Sequence, residues 1–466
     1  MSINTFDNYP LSWKPDKSKL SRPYYKSLAI DLEHQIITGI LRPGTKLPPQ
    51  REIADYLDLN YSSITKVYSI CQKKGLIYGI IGKGTFVAAH PVTDSTLLVS
   101  DYTDTFINMG ALNIFSEYSS YAENAIQAVI KRGQLHKFLE YSNSNGLPHQ
   151  LAAGVRWMEQ LGIHTDIQHT VIVPGSQNAL TIILLSLFSS GDKIATDTYT
   201  YANFIELAKM LQITLVPIDS DENGMIPEDL YRKCQNNQIK GLYLMPSSTN
   251  PTGNLIPEQR RTQLAKIIRK EHLLLIEDDI ASWLCSAQGN IIPSIHDLVP
   301  EHCVYICNIS KVLCTGLRIA YLVFPDQYRK QLLHGIYNIS VKSSGLDAEI
   351  ITELLLNGDA FHLIKQKYRA CQKASELYEK FFPHVYEQED RPNFYKWLPI
   401  FSNKPYEKIE QDLLDRGIRI YHSSRFSVLK EQEVNYLRVS ISSAGSMANL
   451  KKGLSILQKY ISEFSD

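Results

Sequence analysis

The 466-residue sequence predicts an α/β protein: a small basic head followed by a larger body built on a mainly parallel sheet. Three observations carry this. From residue 107 onward, short apolar runs alternate with helical stretches, as in TVIVPGS (170–176), DKIATD (192–197), GLYLMP (241–246), HLLLIEDD (272–279) and CVYICNISK (303–311). Residues 20–88 instead hold short helical patterns dense in turn signals, and 89–106 have no clear period and read as a linker. Charge divides the same way. The first 90 residues carry 12 Lys/Arg against 7 Asp/Glu, and the other 376 carry 36 against 41. A basic head is an electrostatic footprint suited to nucleic acid.

Composition narrows the classes. Hydrophobic content of 44% with 21% charged residues excludes wholesale disorder. Seven cysteines without a C-x-x-C pair give neither a disulfide framework nor a zinc site, so no metal is expected. The longest apolar run, 179–188, is too short to span a membrane. The first residues lack the apolar core of a signal peptide, so the expected location is the cytoplasm.

In the head, residues 24–38 place Tyr25, Leu28, Ala29, Leu32 and Ile36 at helical spacing, and Gly39 stops the helix. Pro43-Gly44 turns the chain, and Leu47-Pro48-Pro49 precedes a second helix over 50–57 with Ile53, Ala54 and Leu57 inward. Asp58-Leu59 make a short turn. Asn60 is the expected N-cap of a third helix, with Ile64, Val67, Tyr68 and Cys71 on one face. Two short helices joined by a tight turn read as a helix-turn-helix. LIYGIIGKGTFVA then reads as two strands around Gly82-Lys83-Gly84, a wing with lysine at its tip. Spacing alone leaves open any small helical domain with a hairpin.

In the body, Pro174-Gly175-Ser176-Gln177-Asn178-Ala179 ends a strand and opens a helix whose free N–H groups suit a phosphate. Tyr201 follows another strand and, by itself, fits a core equally well. Asn250-Pro251-Thr252-Gly253 is a turn by composition. Glu277-Asp278-Asp279 ends an apolar strand, where consecutive carboxylates disfavour burial unless a cation pairs with them. Ser310-Lys311 follows a further strand, with Arg318 seven residues on; by itself such a pair reads as surface charge.

Residues 23–88 resemble the GntR-type winged helix-turn-helix. They match its I-x-x-G-x-L-x-P-G-x-x-L-P-x-x-R-x-x-A frame and its G-x-G-T-F-V wing. The resemblance implies that Arg51 meets a phosphate, and that Asn60, Tyr61, Ser62 and Ser63 open the recognition helix and face the major groove or backbone. Lys46, Lys66 and Lys83 supply charge. The family often carries Arg where this chain has Tyr61, and tyrosine cannot make the bidentate fork to guanine.

The body resembles the fold-type I aminotransferases that use pyridoxal 5'-phosphate (PLP). The order G-S-Q-N-A, T-Y, N-P-T-G, E-D-D, S-K, G-x-R-x-A and a late L-R-V-S carries the resemblance. It implies a mainly parallel central sheet with a smaller α+β C-terminal subdomain. It also implies that Lys311 forms the Schiff base with PLP, with Ser176, Gln177, Asn308, Ser310 and Arg318 around the phosphate. Asp278 pairs with the pyridine nitrogen, Asn250 donates to the ring oxygen, and Tyr201 stacks on the ring. Tyr141 reaches the phosphate of the neighbouring subunit in a homodimer. Arg438 binds a substrate carboxylate. One departure weakens turnover. The tyrosine that usually follows the cofactor aspartate is missing, and Ile280, Ala281 and Ser282 stand there.

Head and body together resemble the MocR-type transcription regulators. That implies a homodimeric DNA-binding regulator on a double-stranded operator with two half-sites. It would respond to PLP, to a carboxylate-bearing amino compound, or to both. Two alternatives stay open: a catalytically active aminotransferase with an accessory DNA-binding head, and a regulator sensing PLP alone to control vitamin B6 synthesis or salvage. The expected domains are 20–88, a linker over 89–106, and 107–466.

Overall fold

The computed structural model describes residues 12–37, 39–73, 75–80, 82–88, 106–115, 120–141, 145–289, 291–383, 393–402, 404–429 and 434–463. The chain divides into two compact units, Met1–Leu98 and Val99–Asp466. Of the expected linker, residues 89–105 lie outside the described residues.

The head contains α1 (Tyr24–Ile37), α2 (Gln50–Leu57) and α3 (Tyr61–Lys73). Their apolar stripes close one core: Leu28, Leu32 and Ile36 of α1, Ile53 and Leu57 of α2, Ile64, Val67 and Cys71 of α3. Asp58 ends α2 in the left-handed region at φ 48°. Asn60 Oδ1 then accepts from the Ser62 N–H at 3.0 Å and starts α3, as the cap residue requires. Strands Ile77–Ile80 and Gly84–Val87 pair antiparallel, with Tyr78 opposite Phe86. The head also reaches ahead of residue 20. Trp13 is fully buried in its core and donates from Nε1 to Asp31 at 2.9 Å. The stretch ahead of α1 is thus anchored by an aromatic side chain.

The body holds a seven-stranded sheet. Its order is Thr170–Val173, Ala320–Val323, Cys303–Cys307, Leu274–Asp279, Ile239–Leu244, Lys193–Asp197, Thr214–Ile218. Ala320–Val323 runs antiparallel to both neighbours; the other pairs are parallel. In the run at 303–311 the strand is the apolar Cys303–Cys307, and a helical turn, Ile309–Val312, follows it. Two strands lacked a clear signal. Pro217 interrupts Thr214–Ile218, which is tolerated because that strand lies at the sheet edge. Ala320–Val323 is not among the runs read as strands, although it is as long as Thr170–Val173, which is. Helix Pro148–Gln160 lies close on the sheet at Gly154, where a Cβ would run into the Tyr321 ring.

A smaller α+β part follows. Strands Tyr395–Ile400, Asn435–Ser440 and Tyr421–His422 form an antiparallel sheet, accompanied by helices Tyr406–Asp415 and Met447–Ser462. Its register sets Trp397 and Tyr421 on either side of Arg438. Among the described residues, no helix is long and apolar enough to cross a membrane, and no group of His, Cys, Asp and Glu is arranged to hold a metal.

Candidate functional site

Functional groups of parallel sheets gather at the carboxyl ends of the strands. Here Gly175-Ser176 follows Thr170–Val173, Asp278 closes Leu274–Asp279, and Asn308 and Lys311 follow Cys303–Cys307.

Strand alternation sorts the three consecutive carboxylates. Glu277 accepts from the backbone N–H groups of His296 at 2.7 Å and Ile295 at 3.2 Å. Asp279 accepts from the N–H groups of Ala281 and Ser282 and from the hydroxyls of Ser247 and Tyr305. The expected cationic partners are therefore largely replaced by N–H and O–H donors. Asp278 points the other way. The Tyr243 hydroxyl donates to its Oδ2 at 3.0 Å, while Oδ1 is buried without a partner. Burial, with the charge of Asp279, pushes the Asp278 carboxyl up to about 7 against the pull of Tyr243. A buried carboxylate oxygen without a donor is costly unless a cationic N–H meets it.

Lys311 Nζ donates to the Leu112 carbonyl at 2.6 Å. Burial, then the charges of Arg318, Arg438 and Lys367, lower its amine to about 8. A lysine so placed is a nucleophile near neutral pH. Asn308 caps this turn, its Oδ1 accepting from the Lys311 N–H at 3.2 Å, which leaves the Asn308 amide as donor. The Ser310 side chain lies outside the described residues.

Helix Ser176–Leu187 opens behind Gly175, whose φ is 80°. A Cβ on Gly175 would stand 2.9 Å from Arg318 Nη2, so the guanidinium sits against this helix start. Arg318 itself holds a left-handed φ of 51°, a strained setting that aims its side chain there. The Ser176 hydroxyl and Gln177 Oε1 are buried without partners. Free helix N–H groups, a guanidinium and an unused hydroxyl suit a phosphate. Tyr201 caps the next helix start, Ala202–Met210; burial and the charge of Asp278 raise its phenol to about 12, so it remains a neutral ring.

Arg438 is 1% exposed. It donates to Asn250 Oδ1 at 2.7 Å and to the Gly110 carbonyl, while its Nε has no partner. Phe426 stacks 4.5 Å from the guanidinium. Among the described residues no carboxylate pairs with it, and burial first of all lowers it to about 10. Asn250 spends its oxygen on Arg438, so its amide hydrogens remain to donate. Gly110 must be glycine, because the Tyr421 ring would lie 2.9 Å from a Cβ.

These residues fit PLP. The partnerless Asp278 oxygen answers a protonated ring nitrogen, the Gly175–Ser176 turn with Arg318 answers a phosphate, and Lys311 answers an aldehyde. Tyr141, 89% exposed, is not buried in its own protomer's site. Three contributors escaped the sequence reading. Tyr243 steadies Asp278, and the carbonyls of Gly110 and Leu112 occupy Arg438 and Lys311; tyrosine in an apolar strand and backbone oxygens give no motif to read.

In the head, the Arg51 guanidinium lies 5.9 Å from the Tyr61 ring. Tyr61 is half exposed at the start of α3. Asn60 and Ser62 are bonded to one another, and the Ser63 N–H donates to the Asn60 carbonyl. Lys66 Nζ stands 5.5 Å over Tyr25, and the Lys46 stem packs along Gly84 of the wing. Lys83 is exposed at the hairpin turn.

Residues 107–457 match the aminotransferase class I and II family, and residues 24–87 match the gntR family of bacterial regulatory proteins. Over the full length of both chains, the protein is 33% identical to the "Uncharacterized HTH-type transcriptional regulator YdeF" of Bacillus subtilis (strain 168). Two solved structures share the body's fold. An archaeal alanine:glyoxylate aminotransferase superposes with TM-score 0.71 at 19% identity, covering 77% of this chain and 91% of its own. The α-aminoadipate aminotransferase LysN of Thermus thermophilus gives 0.70 at 20%, covering 78% and 93%. The chain belongs to the aminotransferase class I and II family over its body and to the gntR family over its head, the pairing of the MocR type.

Proposed function

We propose that this chain is a DNA-binding transcription regulator whose body holds PLP at Lys311 and reads a carboxylate-bearing amino compound at Arg438. The observation that carries the effector reading is Arg438 itself. A fully buried guanidinium with a partnerless Nε and no facing carboxylate among the described residues calls for an anion. PLP held there would supply an electrophilic carbon for primary amines and an electron-withdrawing ring. Arg438 orients an amino compound by its carboxylate, Asn250 donates toward the ring oxygen, and Asp278 keeps the ring nitrogen protonated. Ile280 and Ala281 add no donor, which favours retention of the ligand over turnover.

On the DNA side, Arg51, Lys46, Lys66 and Lys83 meet phosphates, while Asn60, Tyr61, Ser62 and Ser63 face the groove. A homodimer places two heads on two half-sites, with Tyr141 completing the partner's cofactor site. The location is the cytoplasm, where DNA and PLP meet; the head binds the DNA and the body, 107–466, holds the cofactor, with the head extended ahead of residue 20 to include Trp13. The test is an absorbance titration with PLP and then a panel of amino acids and simple amines, with operator affinity followed in parallel. A response to amino acids but not to amines supports the reading. Equal responses refute the carboxylate role, and a response to PLP alone supports vitamer sensing.

A further inference from the structure

The turn that carries Asn250 is closed by its own backbone. The Gly253 N–H donates to the Thr249 carbonyl at 2.6 Å, and the Thr249 N–H donates to the Asn254 carbonyl at 2.8 Å. A side chain from the C-terminal part nevertheless grips this turn on both sides of Asn250. Asn393 is 5% exposed; its Nδ2 donates to the Gly253 carbonyl at 2.8 Å, and its Oδ1 accepts from the Ser248 hydroxyl at 3.1 Å. A Cβ on Gly253 would lie 2.6 Å from that Nδ2, so amide and turn are in direct contact. Two residues on, the Tyr395 hydroxyl donates to the Ser248 carbonyl at 3.1 Å. A buried amide is costly unless it is bonded, and a leucine would fill the same space without that cost. The bonds of Asn393 to the turn do not build it; they tie a finished turn to another part of the chain.

That part is the sheet of Arg438. Tyr395 opens the strand paired with Asn435–Ser440, in which Arg438 lies opposite Trp397. The Ile441 N–H donates to the Phe394 carbonyl at 3.0 Å and continues the pairing past Tyr395. The Asn250 turn is thus tied to one sheet twice: by the Arg438 guanidinium at Asn250 Oδ1, and by Asn393 and Tyr395 at the flanking residues. We infer that Asn393 and Tyr395 are positioning residues for Asn250, holding its amide hydrogens toward the cofactor's ring oxygen while a ligand's carboxylate engages Arg438. With the first tie alone, the amide would follow the guanidinium as a carboxylate drew it. The second tie fixes the backbone on either side, and a donor keeps its strength only while its angle is kept. A donor to the ring oxygen favours the anionic form of that oxygen, so its misplacement raises the pH at which the bound cofactor loses its proton.

This role rests on Asn250 donating to the ring oxygen, and the variants separate the two. The full-length chain loaded with PLP would be titrated with alkali, following the absorbance of the bound cofactor, in the native protein, Asn250→Ala, Asn393→Ala and the double variant. Lys311, Asp278, Tyr201, Arg318, Arg438 and Lys367, the ionisable groups acting on the site, are the same in all four. The expected midpoint is higher by about one pH unit in Asn250→Ala and by roughly half a unit in Asn393→Ala, with the double variant no higher than Asn250→Ala alone. Tyr395→Phe, which keeps the ring and loses one bond, should shift it by less in the same direction, and decides the matter if Asn393→Ala does not fold. An unchanged midpoint in the deciding variant overturns the positioning role and leaves that of Asn250 standing. Shifts that add in full in the double variant overturn it too. An unchanged midpoint in Asn250→Ala overturns the ring-oxygen reading and this role with it. Failure of the native chain to retain PLP on dilution overturns both together with the cofactor reading.

Discussion

Arg438 donates to Asn250 Oδ1 at 2.7 Å, so the buried guanidinium is bonded to the side chain proposed above to donate toward the cofactor's ring oxygen. Removing the guanidinium should therefore separate two behaviours. Arg438→Ala should weaken the response to amino acids by on the order of 100-fold, the usual loss for one half of a buried charged pair, while PLP attachment persists. Titrating the variant with PLP and then with amino acids measures both. An undiminished amino-acid response would assign Arg438 a structural role.

Lys311→Ala should abolish the covalent absorbance and the resistance to dilution. In the native chain, attachment should rise with pH through about 8 as the Lys311 amine loses its proton. A midpoint near the ordinary lysine value would mean that burial and the neighbouring cations do not act as described.

Asp278 predicts a trade of stability for function. Its carboxyl sits at about 7 in the folded protein, above the ~3.9 of an unfolded aspartate. The folded state thus holds the extra proton between those values. Its contribution is complete below about 4 and is lost as pH rises through 7. In cofactor-free protein at pH 8, Asp278→Asn should be more stable than the native chain, by at most roughly 4 kcal/mol for three pKa units. The same substitution should weaken PLP binding. Denaturant melts at pH 4 and pH 8 would decide it, and equal stability at pH 8 would argue that another group meets Asp278 Oδ1.

For DNA, Arg51→Ala and Lys83→Ala should each weaken binding to every sequence and flatten the salt dependence by about one unit of slope per lost phosphate contact. Tyr61→Ala should change sequence preference instead. Because the Tyr61 ring lies beside Arg51, the double variant should lose less than the two single losses combined. Unchanged slopes in both basic variants would take them out of the phosphate interface.

Steady-state transamination should be poor. A tyrosine hydroxyl on the ring oxygen, a hydrogen bond of order 1.5–3 kcal/mol, corresponds to roughly 10- to 150-fold in rate, and Ile280 cannot supply it. Turnover near ~10 s⁻¹ with any pair of amino donor and keto acid would restore the enzyme reading.

The sequence disclosed much of this because its signals are local. Asn60 announces the start of α3 by side-chain chemistry, and Lys311 lies in a run whose order is distinctive. The contribution of Trp13 was hidden, since one aromatic in an aperiodic stretch has no spacing to read. Tyr243 was hidden for a related reason: its hydroxyl meets Asp278 only through the pairing of two strands distant in sequence. The Glu277-Asp278-Asp279 run called for a cation, and the buried Arg261 does act on Glu277, but the N–H groups of Ile295 and His296 that also meet it leave no mark on composition.

Both cations that a ligand must reach are already in use by one short stretch of chain: Gly110 offers its carbonyl to Arg438, and Leu112 offers its own to Lys311. Occupancy is therefore an exchange rather than an addition. An arriving carboxylate or aldehyde gains only the difference between its own bond and the one it displaces, so measured affinity falls below what the contacts alone would give. The same exchange frees two backbone oxygens, close together in the chain, that must find other donors. On the proposed reading, residues 110–112 give up both bonds at each binding event, which lowers the affinity for the effector.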